Sequence, residues 1–282
     1  MQWTAERLSS SVGRITFTGK SLWVFLSSDW HWDSTKCDRD RLARDLGLAK
    51  KIGAPVIAIG DLFDAMGGKF DPRGTKDGLR PELLVGNYFD ESVSQMADWL
   101  KPYSANLALI SPGNHETAIR KRQETCLTSR IVGMLRAGGS NVLQGSYAGW
   151  LLFRWMSKKH VSVYKLWYHH GYGGGGPVTR GVIDYARFLA DVDADAILSG
   201  HVHQKTLIEA SRQRITTQGN AHTTPIHLIR TASYKADSLT DGWAVEKGIS
   251  SRPLGGWWLR LQAARRAGDD ILLPSFHDTP EL

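Results

Sequence analysis

The chain has 282 residues, of which 41% are hydrophobic and 22% charged, a balance that is typical of a globular protein and excludes disordered and fibrous classes. Its formal net charge of +7 favours anionic partners. The two cysteines, Cys37 and Cys126, are too few for a disulfide framework, and no apolar run reaches the ~20 residues of a membrane helix. We therefore expect a cytoplasmic protein without a membrane segment.

Short apolar runs alternate with longer amphipathic stretches in the first half of the chain. The apolar runs predict strands over residues 22–26, 55–59 and 107–110. The amphipathic stretches predict helices over residues 38–52, 82–100 and 117–136. Strands that alternate with helices favour a parallel sheet that is covered by helices.

The second half of the chain is richer in predicted strands. The strand pattern covers residues 150–156, 161–168, 194–198, 205–210 and 226–234, and a helix is predicted over residues 182–192. The sequence assigns no element after residue 248. We expect residues 1–282 to form a single domain.

Residues of the types that bind metals follow several of the predicted strands, at the point where each strand ends. They are Asp29, His31, Asp61, Asn114, His115, His169, His170, His201 and His203. Because open α/β sheets form their sites beyond the carboxyl ends of the strands, we expect these side chains to meet at one edge. Carboxylate, amide and imidazole ligands without thiolates favour Mn, Fe, Zn or Co over Ca or Mg.

The order of these residues resembles the calcineurin-like metallophosphoesterase superfamily. The run HHGYGGGGPVTRG at residues 169–181 resembles the uncharacterised phosphoesterases of phages and bacteria within it. The superfamily pattern D-x-H, G-D, G-N-H-[D/E], H, G-H-x-H is matched in order at residues 29–31, 60–61, 113–116, 169 or 170, and 200–203. The resemblance covers roughly residues 20–235. It implies an α/β fold in which a double β-sheet sandwich is flanked by helices, as four αββα layers, with the metals between the sheets.

The resemblance implies two divalent metal ions, with Mn²⁺ as the first choice and Fe, Zn, Co or Ni as alternatives. Asp29, His31, Asp61 and His203 would hold one ion. Asp61, Asn114, His201 and either His169 or His170 would hold the other, so that Asp61 bridges the two. A bridging hydroxide would attack the phosphorus atom.

Two residues next to the ligands are expected to assist catalysis. The resemblance implies that His115 steadies the phosphoryl oxygens or protonates the leaving alkoxide. Glu116 is expected to orient His115, and Asp64 to support the ligands from outside the metal shell.

The fourth block leaves a choice between neighbouring histidines. Adjacent side chains of a strand point to opposite faces, so only one of His169 and His170 is expected to be a ligand. Family members with one residue between the histidine and the glycine favour His169, whereas members with the histidine directly before the glycine favour His170. We prefer His169.

A glycine run follows these histidines. The amides of Gly173 and Gly174 are candidates for binding phosphate oxygens, together with the side chain of Arg180. The alternative is that the glycines only avoid clashes beside the metals.

The predicted function is dinuclear metal-dependent hydrolysis of a phosphoester. Pro112 stands where protein Ser/Thr phosphatases carry an arginine, which argues against that subgroup. We expect a phosphodiesterase that acts on a nucleotide or a nucleic acid. A DNA or RNA nuclease of phage type is the alternative, supported by the positive charge, and a phosphomonoesterase and a non-catalytic scaffold are less favoured. The oligomeric state is not predicted.

Overall fold

Two β-sheets packed face to face form the centre of the molecule, and helices cover both outer faces. This computed structural model describes residues 3–65, 76, 78–157, 161–174, 182–236, 243–246, 248, 250–266 and 269–281. The arrangement is the four-layer sandwich of helices, two sheets and helices that the sequence predicts, so the predicted fold class is confirmed.

The described residues contain thirteen β-strands and six α-helices. The strands are β1 (Trp3–Arg7), β2 (Val12–Phe17), β3 (Ser21–Ser27), β4 (Val56–Ile59), β5 (Leu107–Ser111), β6 (Leu143–Gln144), β7 (Ala148–Met156), β8 (Val161–His169), β9 (Ala196–Ser199), β10 (Thr206–Ile215), β11 (Ala221–Arg230), β12 (Trp257–Arg266) and β13 (Asp269–His277). The helices are α1 (Arg39–Ile52), α2 (Tyr88–Leu100), α3 (Asn114–Gln123), α4 (Leu127–Ala137), α5 (Val182–Asp191) and α6 (Trp243–Glu246). None of these described helices combines the length and the apolar composition that crossing a membrane requires.

The described strands are divided between a seven-stranded sheet and a six-stranded sheet. The seven-stranded sheet has the order β1-β2-β7-β8-β9-β11-β10, in which β8, β9 and β11 run parallel. The six-stranded sheet has the order β13-β12-β3-β4-β5-β6, in which β3 to β6 run parallel. Antiparallel strands complete both sheets, so each sheet is mixed rather than purely parallel.

Apolar side chains fill the space between the two sheets. Phe153 and Leu166 of the seven-stranded sheet belong to one buried cluster with Val24, Ile57 and Leu259 of the six-stranded sheet, and all five are 0% exposed. Because burying a side chain of this size contributes roughly 1.5–3 kcal/mol, this layer is a main source of the stability of the sandwich.

The helices cover the outer faces of the two sheets. Leu42 of α1, Met96 of α2 and Ile131 of α4 lie in one cluster with Ala58 of β4. On the other side, Phe188 of α5 lies in a separate cluster with residues of β9 and β11. Strands such as β4, covered on both faces, are buried along their whole length, which explains why they read as continuous apolar runs.

Two predicted helices have different bounds in the structure. The helix predicted over residues 117–136 is divided into α3 and α4, because Glu124 adopts a left-handed backbone with φ of 52° that ends α3. The helix predicted over residues 82–100 begins only at Tyr88, after a 3₁₀ turn at Pro81–Leu83.

Five strands lie outside the predicted elements, namely the two-residue β6 and four strands in two hairpins. β1 and β2 form a hairpin at the edge of the seven-stranded sheet, and β12 and β13 form another at the edge of the six-stranded sheet. Because β12 pairs with β3, the residues that the sequence left unassigned extend the sheet that carries the first site residues.

The sandwich predicts a large difference between two leucine-to-alanine substitutions. Leu166 is 0% exposed between the sheets, whereas Leu273 on the edge strand β13 is 44% exposed. Leu166→Ala is expected to lower the free energy of unfolding by about 2–5 kcal/mol, because it leaves a cavity. Leu273→Ala is expected to lower it by less than about 1 kcal/mol. Urea denaturation measures both, and equal losses would contradict the assigned core.

Candidate metal centre

Five strand ends meet where the two sheets approach each other. The loops after β3, β4 and β5 come from the six-stranded sheet, and those after β8 and β9 come from the seven-stranded sheet. Backbone hydrogen bonds continue the strand pairing into these loops. The amide of Asp29 donates to the carbonyl of Gly60, and the amide of Gly200 donates to the carbonyl of His170, both at 2.9 Å. The loops are therefore held in register where the candidate ligands begin.

Asp29, His31 and His203 form the first group of candidate ligands. The Nε2 atom of His203 lies 3.3 Å from Oδ1 of Asp29 and 3.3 Å from Nε2 of His31. The other oxygen of Asp29, Oδ2, accepts hydrogen bonds from the amide of His201 at 3.0 Å and from the hydroxyl of Ser28. One carboxylate oxygen is thus fixed by the protein, while the other faces the two imidazoles.

Asp61, His170 and His201 form the second group, and Asn114 lies among them. The Nε2 atom of His170 lies 3.2 Å from Oδ2 of Asp61 and 3.0 Å from Oδ1 of Asn114. The Nδ1 atom of His201 lies 2.7 Å from the same Asn114 oxygen. Nδ1 of His170 donates to the carbonyl of Ile59 at 2.9 Å, which fixes the ring so that Nε2 faces the cluster.

The structure separates the two neighbouring histidines. His169 packs among the rings of Tyr147, Trp167 and Phe188, and its Nδ1 accepts a hydrogen bond from the amide of Gly171. His170 follows the end of β8 and turns into the cluster, where it is fully buried. This geometry favours His170 as the ligand, in contrast to the expected His169. His169 lies on the outer face of β8, against Phe188, and points away from Asp61.

The backbone at the candidate ligands adopts an uncommon conformation. Among the described residues, seven residues other than glycine have a positive φ, and five of them are candidate ligands. These five are Asp29, His31, Asp61, His201 and His203, with φ between 46° and 68°. A left-handed backbone at such residues costs of order 1–3 kcal/mol each and persists only where the surroundings enforce it. The strain is concentrated at the residues that the sequence singles out for function.

Two glycines allow the loops to approach closely. A Cβ atom at Gly113 would collide with the side chain and amide of Asp61, and one at Gly200 would collide with Ser28 and Asp29. Gly200 thereby lets the loop after β9 lie directly against the loop after β3. This contact joins the two halves of the site.

Buried carboxylates dominate the electrostatics of the site. Asp29 and Asp61 are 0% and 1% exposed. Burial raises the pKa of Asp61, but the imidazoles of His170 and His115 outweigh burial and hold that pKa well below its usual value. Burial lowers the pKa of His170, but the negative charges of Asp61 and Asp29 outweigh burial and raise that pKa to about 10. The two carboxylates therefore favour positive charge where the two groups of ligands meet.

Asp64 lies behind the first group and contacts two histidines. Its Oδ1 atom lies 2.7 Å from Nδ1 of His31, and its backbone carbonyl accepts a hydrogen bond from Nδ1 of His115. Both histidines use Nδ1 for Asp64, so their Nε2 atoms face the site. The Nε2 atom of His115 lies 3.7 Å from Oδ2 of Asp61. Asp64 thus has the supporting position that the sequence suggests.

Glu116 has a different environment from the one that we expected. It is 2% exposed, and its carboxylate accepts hydrogen bonds from the amides of Asp61 at 3.1 Å, Phe63 at 3.0 Å and Gly113 at 2.8 Å. Burial and the nearby Asp61 raise the pKa of Glu116 to about 7. We expected Glu116 to orient His115. In the structure the carboxylate of Glu116 instead binds backbone amides and holds two loops together.

The glycine run contributes a carbonyl to the described site. Nε2 of His201 donates to the carbonyl of Gly173 at 2.9 Å, which leaves Nδ1 facing Asn114. Gly174 is exposed next to it. Arg180 lies outside the described residues.

The donor set fits divalent cations of the first transition row. Ligands bound to one cation at about 2.1 Å lie roughly 3.0–3.4 Å apart, by the geometry of such sites. The separations of 3.2 Å and 3.3 Å between Asp61 and His170 and between Asp29 and His203 agree with this spacing. Asp29, His31 and His203 would hold one cation, Asn114, His170 and His201 the other, and Asp61 lies in contact with the second set.

Three supporting residues were missed by the sequence analysis. Asp33 accepts hydrogen bonds from the amides of Asp64 and Ala65 and from the hydroxyl of Tyr88. Lys235 lies within 2.8 Å of Asp64. Asp33 follows the first block by two residues and could have been noticed there, whereas Tyr88 and Lys235 lie far from every block and carry no local signal.

Comparison with known proteins identifies the family. The family model of the calcineurin-like phosphoesterases matches residues 22–205, a span that contains every candidate ligand. A comparison with curated protein sequences gives no match. Among solved structures, the chain is similar to Vacuolar Protein Sorting 29 from Cryptosporidium parvum, with 13% identity, a TM-score of 0.39, and coverage of 92% of this chain and 99% of that chain. Because the model matches well over half of its length, this chain belongs to the calcineurin-like phosphoesterase family of metal-dependent hydrolases.

Proposed function

We propose that this chain is a phosphodiesterase that cleaves a nucleotide or nucleic-acid phosphoester with the help of two divalent cations. The observation that carries the proposal is the presence of two ligand groups at the same junction, one that contains Asp29 and one that contains Asp61. Two bound cations would stabilise the entering and leaving oxygens of an in-line displacement and would lower the pKa of a water molecule. Mn²⁺ is the first choice for the mixed carboxylate, amide and imidazole ligands, with Fe, Zn, Co and Ni as alternatives.

The protein's own groups would hold the phosphoester and supply the proton. His115 is 15% exposed at its side chain, and its Nε2 atom faces the site. In its protonated form this atom donates a hydrogen bond to a phosphoryl oxygen, or transfers its proton to the leaving alkoxide as the P–O bond breaks. The carbonyl of Asp64 binds Nδ1 and so keeps the ring in the orientation that this transfer needs.

The cationic side chains described around the site favour a diester over a monoester. A diester carries one negative charge at its phosphoryl group, whereas a monoester carries up to two and draws on additional cationic groups. Lys235 and Arg252 both contact loops of the site, but Lys235 is bound to Asp64 and Arg252 donates to the carbonyl of Val202 at 2.6 Å. These two cationic groups are already engaged by the protein itself.

A nuclease is the second candidate, and α3 supports it. This helix begins at Asn114, and its last turn carries the exposed residues Arg120, Lys121 and Arg122. Consecutive cations on an element that starts at the site would attract the backbone of a nucleic acid. The formal net charge of +7 acts in the same direction.

A substrate panel separates these candidates. With Mn²⁺ present, the proposal predicts hydrolysis of bis-p-nitrophenyl phosphate and much slower hydrolysis of p-nitrophenyl phosphate. Cleavage of single-stranded DNA that weakens steeply with added salt would favour the nuclease. Preference for the monoester would contradict the proposal, and bound Mn²⁺ without turnover of any substrate would favour a scaffold.

The two neighbouring histidines give a matched test of the ligand set. His170→Ala is expected to weaken Mn²⁺ binding by at least about 10- to 100-fold, since it removes a nitrogen from the centre of the site. His169→Ala removes the same group from an aromatic pocket outside the cluster and is expected to leave binding within about threefold. Calorimetric titration of the metal-free variants measures both. Loss of binding in His169→Ala alone would restore the first preference.

The role of His115 predicts a loss of rate without a loss of metal. His115→Ala is expected to lower kcat for the diester by about 10²- to 10⁴-fold, the range for a general acid. Its content of bound Mn²⁺, measured by elemental analysis after gel filtration, is expected to match that of the wild type. His222→Ala, which changes an exposed histidine on β11, serves as the control. Full activity of His115→Ala would exclude the proposed proton transfer.

A further inference from the structure

Lys235 forms a largely buried ion pair directly behind the candidate metal centre. Its Nζ atom lies 2.8 Å from Oδ2 and 3.0 Å from Oδ1 of Asp64, and the two side chains are 16% and 2% exposed. A carboxylate buried to this degree is stable only when a charged or hydrogen-bonding partner compensates the lost water. Lys235 supplies a full positive charge to both oxygens.

Asp64 connects this lysine to both halves of the proposed chemistry. Its Oδ1 atom holds Nδ1 of the candidate ligand His31, and its carbonyl holds Nδ1 of the candidate acid His115. The rings of these two histidines lie 5.0 Å apart. A displacement of the loop that carries Asp64 would therefore turn both Nε2 atoms away from the site together.

The segment that carries Lys235 is itself fixed to the metal centre. The amide of Tyr234 and the hydroxyl of Ser233 both donate to the backbone carbonyl of Asp29, each at 2.9 Å. The amide of Lys235 donates to the hydroxyl of Ser233, also at 2.9 Å. These hydrogen bonds fix the backbone of Lys235 relative to Asp29. The ion pair of Lys235 in turn fixes the carboxylate of Asp64.

A second carboxylate makes the positive charge at this point necessary. Asp33 is 0% exposed and binds the amides of Asp64 and Ala65, which brings it beside the carboxylate of Asp64. Two buried carboxylates repel each other strongly in a medium of low dielectric constant. Lys235 offsets this repulsion and holds the loop after β4 in place.

We propose that Lys235 is a positioning residue, which fixes Asp64 so that His31 binds metal and His115 faces the phosphoester. The part that concerns His115 rests on the proposed function, whereas the part that concerns His31 rests on the ligand geometry alone. Metal affinity and hydrolysis rate therefore test the two parts separately.

The test compares Lys235→Met with Lys235→Arg in the full chain. Lys235→Met is expected to weaken Mn²⁺ binding by about 10- to 100-fold, the usual effect of removing a group that orients a ligand. Lys235→Arg keeps a charge that can bind both carboxylate oxygens and is expected to restore binding to within about threefold. Lys165→Met is the matched control, because Lys165 pairs with Asp193 at 3.0 Å on the surface. Calorimetric titration of metal-free protein with Mn²⁺ measures the affinities.

A double-mutant cycle tests whether the lysine acts through Asp64. Asp64→Asn alone is expected to lose a similar amount of Mn²⁺ affinity, and adding Lys235→Met to it is expected to cause little further loss. Additive losses, or wild-type affinity in Lys235→Met, would overturn the proposal. If circular dichroism shows Lys235→Met to be unfolded, Lys235→Gln replaces it, and unchanged affinity there would overturn the proposal equally.

Measurements on the same protein variants distinguish a failure of the proposed function from a failure of the proposed role of Lys235. Wild-type protein that binds Mn²⁺ but does not hydrolyse bis-p-nitrophenyl phosphate would contradict the proposed function, and the effect of Lys235 on affinity would still decide its role at His31. Rescue of kcat by Lys235→Arg, but not by Lys235→Gln, is expected at saturating Mn²⁺ and supports the role at His115. Equal kcat in all variants would overturn that role.

Discussion

The burial of Asp29 and Asp61 at the junction of the two sheets is the constraint on which the rest of the site depends. Each carboxylate lies at the carboxyl end of a parallel strand and is almost fully removed from water. Negative charge in such a place is expensive unless positive charge or hydrogen bonds compensate it. The imidazoles of His170 and His203 face the two carboxylates from the opposite sheet. The buried negative charge of Asp29 and Asp61 thus attracts the histidines of the opposite sheet, and the same charge favours the binding of cations.

The support for this arrangement comes from groups that would not touch a metal. Glu116 binds three amides of the loops after β4 and β5, and so fixes the backbone on both sides of Asp61. Asp33 fixes the loop after β4 at Asp64 and Ala65, whose amides donate to its carboxylate. The left-handed backbone at Asp61 is unfavourable by itself, so these carboxylates, together with the missing side chain of Gly113, are what make it possible.

The apolar runs predicted the buried parallel strands and the ligands at their ends, whereas the double-sheet sandwich was implied by the family resemblance. The choice between His169 and His170 could not be made locally, because it depends on which face β8 presents after pairing with β7 and β9. Glu116 was misjudged from its proximity to His115 in the chain, although its place in the first turn of α3 directs it back to backbone amides. The pair of Asp64 and Lys235 spans 171 positions and has no local signature. The strands β12 and β13 were not predicted, although Leu259 and Leu261 of β12 alternate with Arg260 and Gln262 in the pattern of a strand.

The central proposal is that two neighbouring cations bind at this site, with Asp61 among the residues that would hold them. Electron paramagnetic resonance of the Mn²⁺-loaded protein, combined with the measured metal content, tests this claim most directly. The account predicts two Mn²⁺ per chain with a spin-coupled spectrum, and loss of the coupling in Asp61→Asn. A single Mn²⁺ per chain, or two ions with the spectrum of isolated Mn²⁺, would contradict it.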